Sequence, residues 1–366
     1  MKAIAITPGK AGVRLVQRPE PALATPTQVK LRVVRVGICG TDHEEIAGGR
    51  AEAPAGAGEL VIGHEMMGQV AAVGAGATRV GVGDYAVLAV RRGCGACANC
   101  ALERSDMCQS GRYRERGIRG LDGYQAEFVV DEEAYITRVP AELAAVGVLL
   151  EPLSIVEKAI EEALRLQRVR DPQAAVTPDW FLGRPCLVAG LGPVGLLAAL
   201  ALRLRGGEVT GLDIVDAASP RPRWLAALGG RYLDGRSSPA QAGQPDQSLI
   251  VDASGFAALE FSLLHRLAPN GMYVLAGIPG GNQTLEIAGA ALLRHLVLGN
   301  QALLGSVNAC RGHFQLAADD LGRGQRRWPG LLERLITHRL GPEAFVASGG
   351  VVPPEAIKQV VEWGGA

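Results

Sequence analysis

The sequence is poor in aromatic side chains and carries no net charge. Phe, Trp and Tyr make up 4% of its 366 residues, and 37 acidic residues match 37 Lys and Arg. A neutral chain argues against a protein that binds nucleic acid or a membrane surface through bulk charge. Lysine is scarce as well, since the chain has only five.

Long apolar runs are also missing. The longest, around 194–202, is too short to cross a bilayer. The first nine residues show no charged region followed by a long apolar segment, so they favour a first strand over a signal peptide. We therefore expect a cytoplasmic protein, whose cysteines stay reduced.

Glycine and β-branched residues dominate the first 140 positions. Short strands are predicted at 29–36, 68–73, 85–90 and 126–130, between turn residues. No segment of helical period and useful length interrupts them. This half is predicted to be an irregular β domain with no substantial helix.

The pattern changes near residue 151. An apolar strand at 185–190, a helix at 194–205 and a strand at 208–213 begin an alternation that is typical of a doubly wound parallel sheet. The fold class is therefore α/β. The predicted division is 1–155 for a catalytic domain, 156–308 for a dinucleotide-binding domain and 309–366 for a return to the first domain.

Four of the seven cysteines lie in one short run, at Cys94, Cys97, Cys100 and Cys108. Four thiolates this close can complete a tetrahedral zinc site with no position left for chemistry. Disulfides would need an oxidising compartment, and an iron–sulfur cluster favours a tighter spacing followed by proline. A zinc ribbon for nucleic acid would bring a basic surface. A structural zinc in a lobe at about 91–110 is the favoured interpretation.

A glycine-rich turn joins the strand at 186–189 to the helix that follows. The turn is Gly190, Leu191, Gly192, Pro193, Val194 and Gly195. In this context such a turn binds a dinucleotide pyrophosphate at the helix N-terminus. Asp213 ends the next strand, where a carboxylate binds ribose hydroxyls and repels a 2′-phosphate. NAD is thus favoured over NADP, although Arg221 and Arg223 follow closely.

Candidate ligands for an open metal site are Cys39, His64, Glu65 and Glu151. A thiolate, an imidazole and carboxylates suit zinc. Taken singly, each residue also has an ordinary structural interpretation, such as a buried small thiol or a helix start.

The order of motifs along the chain supports the hypothesis of an open metal site. G-I-C-G-T-D, G-H-E, the cysteine lobe, E-P-L and G-L-G-P-V-G occur along the chain, which resembles the zinc-dependent medium-chain alcohol and polyol dehydrogenases over its whole length. E-P-L-S-I-V-E-K-A-I-E-E and G-S-V-N followed by G-H-F-Q resemble the archaeal-type glucose dehydrogenase branch. The resemblance implies a GroES-like β domain, a Rossmann domain, two zinc ions per chain and a homotetramer or homodimer.

The resemblance also implies roles for single residues. Cys39, His64 and Glu65 would hold catalytic zinc, with Glu151 as a direct or water-mediated ligand, and Thr41 would take the hydroxyl proton. Cofactor contacts would come from the glycine turn and from Asp213, Gly277, Ile278, Pro279, Ser306, Val307 and Asn308. The residues facing a sugar would be Thr41, Glu115, Glu151 and Asn308.

Three positions depart from the branch. Val90, Ile155 and Leu298 stand where the resemblance leads us to expect polar side chains. A site with fewer hydrogen-bonding groups selects a less hydroxylated substrate. Two substrate classes therefore stay open: an aldose oxidised to its lactone, or a smaller polyol, deoxysugar, secondary alcohol or threonine-type substrate.

Overall fold

The computed structural model describes residues 1–177, 179–237, 246–282 and 284–364. The chain forms two compact units. The first unit comprises Met1–Ser154, Asn308–Gly322 and Leu332–Ala366, and the second comprises Ile155–Val307 and Arg323–Leu331. Residues 365 and 366 of the predicted third segment lie outside the described residues.

Most strand pairs of the first unit are antiparallel; the pairs β18–β19 and β8–β9 are parallel. Its main sheet has the order β11-β6-β5-β3-β19-β18, in which β18 is Ile336–Leu340 and β19 is Lys358–Glu362, and β10 also pairs with β3. Smaller sheets have the orders β2-β1-β4 and β7-β8-β9. Its N-terminal elements are β1 (Lys2–Ile6), β2 (Arg14–Gln17), β3 (Gln28–Ile38), α1 (Gly40–Ile46), β4 (Leu60–Val61), β5 (Glu65–Val73), β6 (Tyr85–Leu88), β7 (Arg91–Arg92), α2 (Ala98–Ala101), β8 (Arg114–Arg116), β9 (Gly120–Leu121), β10 (Phe128–Glu132) and β11 (Ile136–Val139).

The second unit is a parallel sheet in the order β14-β13-β12-β15-β16-β17. The order reverses between β12 and β15, which is where doubly wound sheets bind their ligands. Its elements are α3 (Leu150–Arg170), α4 (Pro172–Val176), β12 (Pro185–Ala189), α5 (Pro193–Leu204), β13 (Glu208–Asp213), α6 (Pro220–Ala227), β14 (Arg231–Asp234), β15 (Gln247–Asp252), α7 (Ala257–Leu263), β16 (Leu267–Leu275), α8 (Gly289–Leu298) and β17 (Ala302–Gly305).

The remaining elements are α9 (Arg311–Arg327), β18 (Ile336–Leu340), α10 (Pro342–Ala347) and β19 (Lys358–Glu362). Within the described part of the chain, no helix is long and apolar enough to cross a membrane.

The segment 323–331 joins the second unit, whereas the sequence-based division gives it to the first. Hydrogen bonds explain the difference. Trp224 donates its indole N–H to the carbonyl of Leu331 at 2.7 Å, and Arg323 donates to the carbonyl of Leu204 at 3.1 Å.

Strand register in the first unit positions the candidate ligands. Gly37 near the end of β3 pairs with Glu65 at the start of β5, and Ile38 pairs with Gln359 in β19. The loop from β3 into α1 therefore begins beside the first residue of β5. Cys39, the residue after β3, is the N-cap of α1.

The α/β fold class is confirmed, with the antiparallel unit first and the parallel unit second. The prediction that no helix interrupts the first half is wrong, because α1 lies at 40–46. Its inward residues include Asp42 and Glu45, which are acidic. A helix with acidic residues on its buried face lacks the apolar period by which helices are found in a sequence.

Candidate metal and cofactor sites

The turn into α1 fixes the sulfur of Cys39. The backbone N–H of Thr41 donates to Cys39 Sγ at 3.3 Å, and Asp42 Oδ2 accepts from the backbone N–H of Cys39 at 2.9 Å. This reciprocal pair is a capping box with cysteine as the cap. The thiol is thus held in place by the helix start itself.

Three of the predicted ligands converge. The ligand atoms of Cys39, His64 and Glu65 lie within 4.8 Å of one another, and Cys39 Sγ is 3.1 Å from His64 Nε2. The other ring nitrogen, Nδ1, is 3.9 Å from Asp42 Oδ1. No sequence motif pointed to Asp42, whose carboxylate lies behind the imidazole without a hydrogen bond to it.

The electrostatics of this cluster fit a bound cation. Burial raises the pKa of the Cys39 thiol. Burial alone would lower the pKa of His64, but the neighbouring Cys39 and Asp42 raise it well above its ordinary value. The pair thus binds a proton strongly between sulfur and nitrogen, and zinc is the usual competitor of a proton at such a donor pair. The donor set of sulfur, nitrogen and oxygen suits zinc.

Glu151 does not belong to the converging group of ligand atoms. Its side chain is buried near the start of α3, and burial raises its pKa to about 8, with Glu65 adding to the shift. His64 acts in the opposite direction on the same carboxyl. Glu151 is therefore an electrostatic neighbour of the cluster, and its role as a ligand stays a prediction.

A buried lysine completes the cluster. Lys358, at the start of β19, has 1% of its surface exposed and forms an ion pair with Glu65. Its ammonium also donates to the carbonyl of Ile38 at 2.9 Å. Burial lowers the pKa of Lys358, but Glu65 and Cys39 outweigh it and the net shift is upward. The sequence analysis did not identify this residue.

Glu45 is a second buried carboxyl near the cluster. It is fully buried on α1, and neither carboxyl oxygen has a hydrogen-bond partner. Burial raises its pKa to about 9, and the like charge of Asp42 adds to the shift. The raised pKa favours the neutral form of this carboxyl.

The cysteine lobe forms a second metal-binding arrangement. The sulfur atoms of Cys94, Cys97, Cys100 and Cys108 lie within 4.8 Å of one another. The Ser110 hydroxyl and backbone N–H groups lower the pKa of Cys94 to about 5. A ready thiolate among four converging sulfurs is the chemistry of a closed zinc site.

Two of the predicted sugar-facing residues, Glu115 and Asn308, form part of a polar network in the first unit. Asn308 donates to Glu115 Oε1 at 2.7 Å, and Arg91 donates to the same oxygen at 3.1 and 3.0 Å. Arg91 is 7% exposed and lies over the ring of Tyr113 at 3.9 Å. Arg91 thus fixes Glu115, a role for which the sequence offered no motif.

The three apolar departures differ in environment. Val90 is buried, Ile155 is half-buried, and Leu298 is 76% exposed at the end of α8. Thr41 is half-buried in the first turn of α1, whereas Glu44 is exposed.

The glycine turn lies between β12 and α5, at the carboxyl end of its strand. The backbone N–H of Leu191 donates to Asp213 Oδ2 at 2.7 Å, so the acid at the end of β13 also braces the turn. Arg221 approaches the same oxygen at 3.8 Å. The predicted cofactor residues 277–279 and 306–307 follow β16 and β17, at the same edge of the sheet.

Two family models match the chain. One, for the alcohol dehydrogenase GroES-like domain, covers residues 25–141, and the other, for the glucose dehydrogenase C-terminus, covers residues 144–363. The chain is 39% identical to the glucose 1-dehydrogenase of Methanocella arvoryzae over 373 residues, with 100% of both chains covered. It is 38% identical to that of Thermoproteus tenax, covering 99% of this chain and 96% of the relative.

A solved structure is similar over the whole chain. Haloferax mediterranei glucose dehydrogenase in complex with NADP, Zn and gluconolactone has a TM-score of 0.88 and 33% identity, and 100% of both chains is covered. An alcohol dehydrogenase from Thermus, at 22% identity and a TM-score of 0.77, shares the fold. The chain belongs to the zinc-dependent medium-chain dehydrogenases, in the glucose dehydrogenase branch.

Proposed function

We propose that the protein oxidises a hydroxyl group of a sugar or polyol and transfers hydride to a nicotinamide cofactor. The observation that carries this proposal is the convergence of Cys39, His64 and Glu65 in a member of this family. An aldose oxidised to its lactone is the leading substrate class, because the similar Haloferax enzyme was solved with gluconolactone.

Cys39, His64 and Glu65 would hold the catalytic zinc, with the Asp42 carboxylate lying behind the imidazole. When bound, the metal acts as a Lewis acid that lowers the pKa of a coordinated hydroxyl. Thr41 would accept the proton of the substrate hydroxyl and pass it outward, since its position in the first turn of α1 is half-buried. Glu151 would be a direct or water-mediated ligand. Cys94, Cys97, Cys100 and Cys108 would hold the second, structural zinc.

Glu115 and Asn308 would bind sugar hydroxyls, and Arg91 would keep the Glu115 carboxylate oriented toward them. Val90, which is buried in the first unit, offers no hydrogen bond. A second candidate activity, on smaller polyols, deoxysugars or secondary alcohols, is favoured by this apolar residue.

NAD would be the preferred cofactor because Asp213 ends β13 with a carboxylate. Arg221 beside it partly offsets that charge. In Asp213→Asn, which keeps an oxygen for the Leu191 N–H, we expect the ratio of kcat/KM for NAD to that for NADP to fall at least tenfold. Arg221→Ala should raise this ratio, and an unchanged ratio in both variants would contradict the assignment.

The decisive experiment measures zinc content and NAD reduction on the same sample, over aldoses, polyols and secondary alcohols. We expect two zinc ions per chain and turnover of at least one sugar or polyol. Cys39→Ser should lose one zinc ion and nearly all turnover. Cys186→Ala, which removes a buried thiol of the second unit, should keep two zinc ions and the wild-type turnover. One zinc per wild-type chain would contradict the proposal. Cytoplasmic location and a homodimer or homotetramer complete the proposal.

A further inference from the structure

The absence of a side chain at Gly37 leaves space for the side chain of Lys358. A Cβ on Gly37 in β3 would lie 2.8 Å from Lys358 Cε and 2.2 Å from Glu65 Oε2. Only a residue without a side chain at this point of β3 admits both side chains. The two strands that flank β3, β5 and β19, therefore deliver a carboxylate and an ammonium to one buried point.

The ammonium is held on both sides. It forms the ion pair with Glu65 and donates to the carbonyl of Ile38, which is 320 residues away in the chain. Ile38 immediately precedes Cys39. Lys358 thus touches the backbone beside one proposed zinc ligand and the side chain of another, and removing one member of such a buried pair is costly.

The negative charge of the proposed ligands suggests a role for the ion pair between Lys358 and Glu65. A thiolate and two carboxylates carry more negative charge than one zinc ion carries positive charge, and a metal surrounded by that much charge is a weaker Lewis acid. A catalytic zinc site also keeps one position open for its substrate. A carboxylate that occupied that position permanently would block the reaction.

We propose that Lys358 is a positioning residue that holds the Glu65 carboxylate away from full coordination to zinc. This inference rests on the proposed zinc site at Cys39, His64 and Glu65. Lys358 competes with the metal for the same carboxylate and so preserves an open coordination position. Without the ammonium, the Glu65 carboxylate is released to the metal.

The test compares Lys358→Met with wild type by competing a zinc chelator against the catalytic site. We expect at least tenfold tighter zinc binding and at least tenfold lower kcat, with the KM for NAD unchanged. Lys158→Met is the matched control, because Lys158 is also buried and also donates to a backbone carbonyl, that of Val307 at 2.8 Å. Its zinc affinity should equal that of wild type.

A double-mutant cycle tests whether Lys358 acts through Glu65. In a Glu65→Gln background, Lys358→Met should leave zinc affinity unchanged within twofold. An equal change in both backgrounds, or zinc binding no tighter in the single variant, would overturn the inference. Thermal unfolding and retention of the zinc in the cysteine lobe show whether each variant is folded. If Cys39→Ser kept both zinc ions, the proposed function itself would fail, independently of Lys358.

Discussion

At the scale of single residues, the chain keeps several ionisable side chains inside the first unit. Asp42, Glu65, Glu151 and Lys358 are all buried close to the converging ligands. A buried charge is tolerated when a partner or a metal compensates it. Glu45 is different, because it has no hydrogen-bond partner for either oxygen and remains protonated.

Glu45 therefore links stability to pH. The folded protein keeps this proton up to about pH 9, whereas the unfolded chain releases it near the ordinary value of 4.5. The unfolded state thus binds fewer protons between these values, and stability falls as the pH rises from about 5 to about 9. We expect Glu45→Gln to gain stability relative to wild type as the pH rises through this range, by at most about 1.4 kcal/mol per pH unit.

Chemical unfolding of wild type and Glu45→Gln at pH 6, 7 and 8 measures this difference. The gap between the two proteins should widen with pH. Glu44→Gln is the control, since Glu44 is the exposed neighbour on the same helix. A constant gap across the three pH values would show that Glu45 is not the titrating group.

At the scale of elements, two glycines of the turn between β12 and α5 are expected to have different roles, Gly195 in the packing of the turn and Gly192 in cofactor binding. A Cβ on Gly195 would lie 1.8 Å from the carbonyl oxygen of Gly190, whereas a Cβ on Gly192 would meet nothing within 4 Å. We expect Gly195→Ala to lower the melting temperature by several degrees. Gly192→Ala should fold normally and lose NAD affinity, because its added methyl group points where the pyrophosphate approaches the backbone.

Melting temperatures and NAD titrations of the two variants distinguish these effects. Normal stability in Gly195→Ala would show that the helix can shift away from the turn. Unaltered NAD affinity in Gly192→Ala would place the pyrophosphate elsewhere.

The elements that sequence could predict are those that local patterns specify. The strand–turn–helix unit of the cofactor domain needed only a glycine pattern and apolar flanks, and β12, α5 and β13 lie where that pattern indicates. The convergence of the four cysteines could be predicted in the same way, because they are close together in the chain. Cys39 and His64 needed a family resemblance, since 25 residues separate them.

Lys358, Asp42 and Arg91 could not be predicted in the same way. Lys358 reaches the cluster only because β19 pairs with β3, and no local sequence pattern predicts that pairing. Asp42 lies on a helix whose buried face is acidic. Arg91 acts through Glu115 across a short pair of strands. Each role depends on a tertiary contact and on no motif.

At the scale of the whole molecule, each unit carries its own chemistry. The proposed metal ligands all belong to the first unit, and the glycine turn with Asp213 belongs to the second. We expect zinc removal by a chelator to act on the first unit alone. Hydrogen exchange should rise in the segments 93–111 and 39–67, because both lose the ion that holds their ligands together.

Exchange in β12, β13 and β15 should stay within experimental error of the zinc-loaded protein. Addition of NAD to the zinc-free protein provides the reverse control, since it should protect the second unit. A uniform rise in exchange over both units would show instead that the metals stabilise the whole chain cooperatively.

The position of β19 between β3 and β18 has a consequence for synthesis on the ribosome. The parallel unit is almost continuous in the chain and can mature while translation proceeds. The antiparallel sheet cannot, because β3 waits for a partner strand that emerges more than three hundred residues later. During that interval the nascent chain exposes an unpaired strand edge, a hazard for aggregation. We expect a chaperone that shields this edge to raise the yield of folded protein.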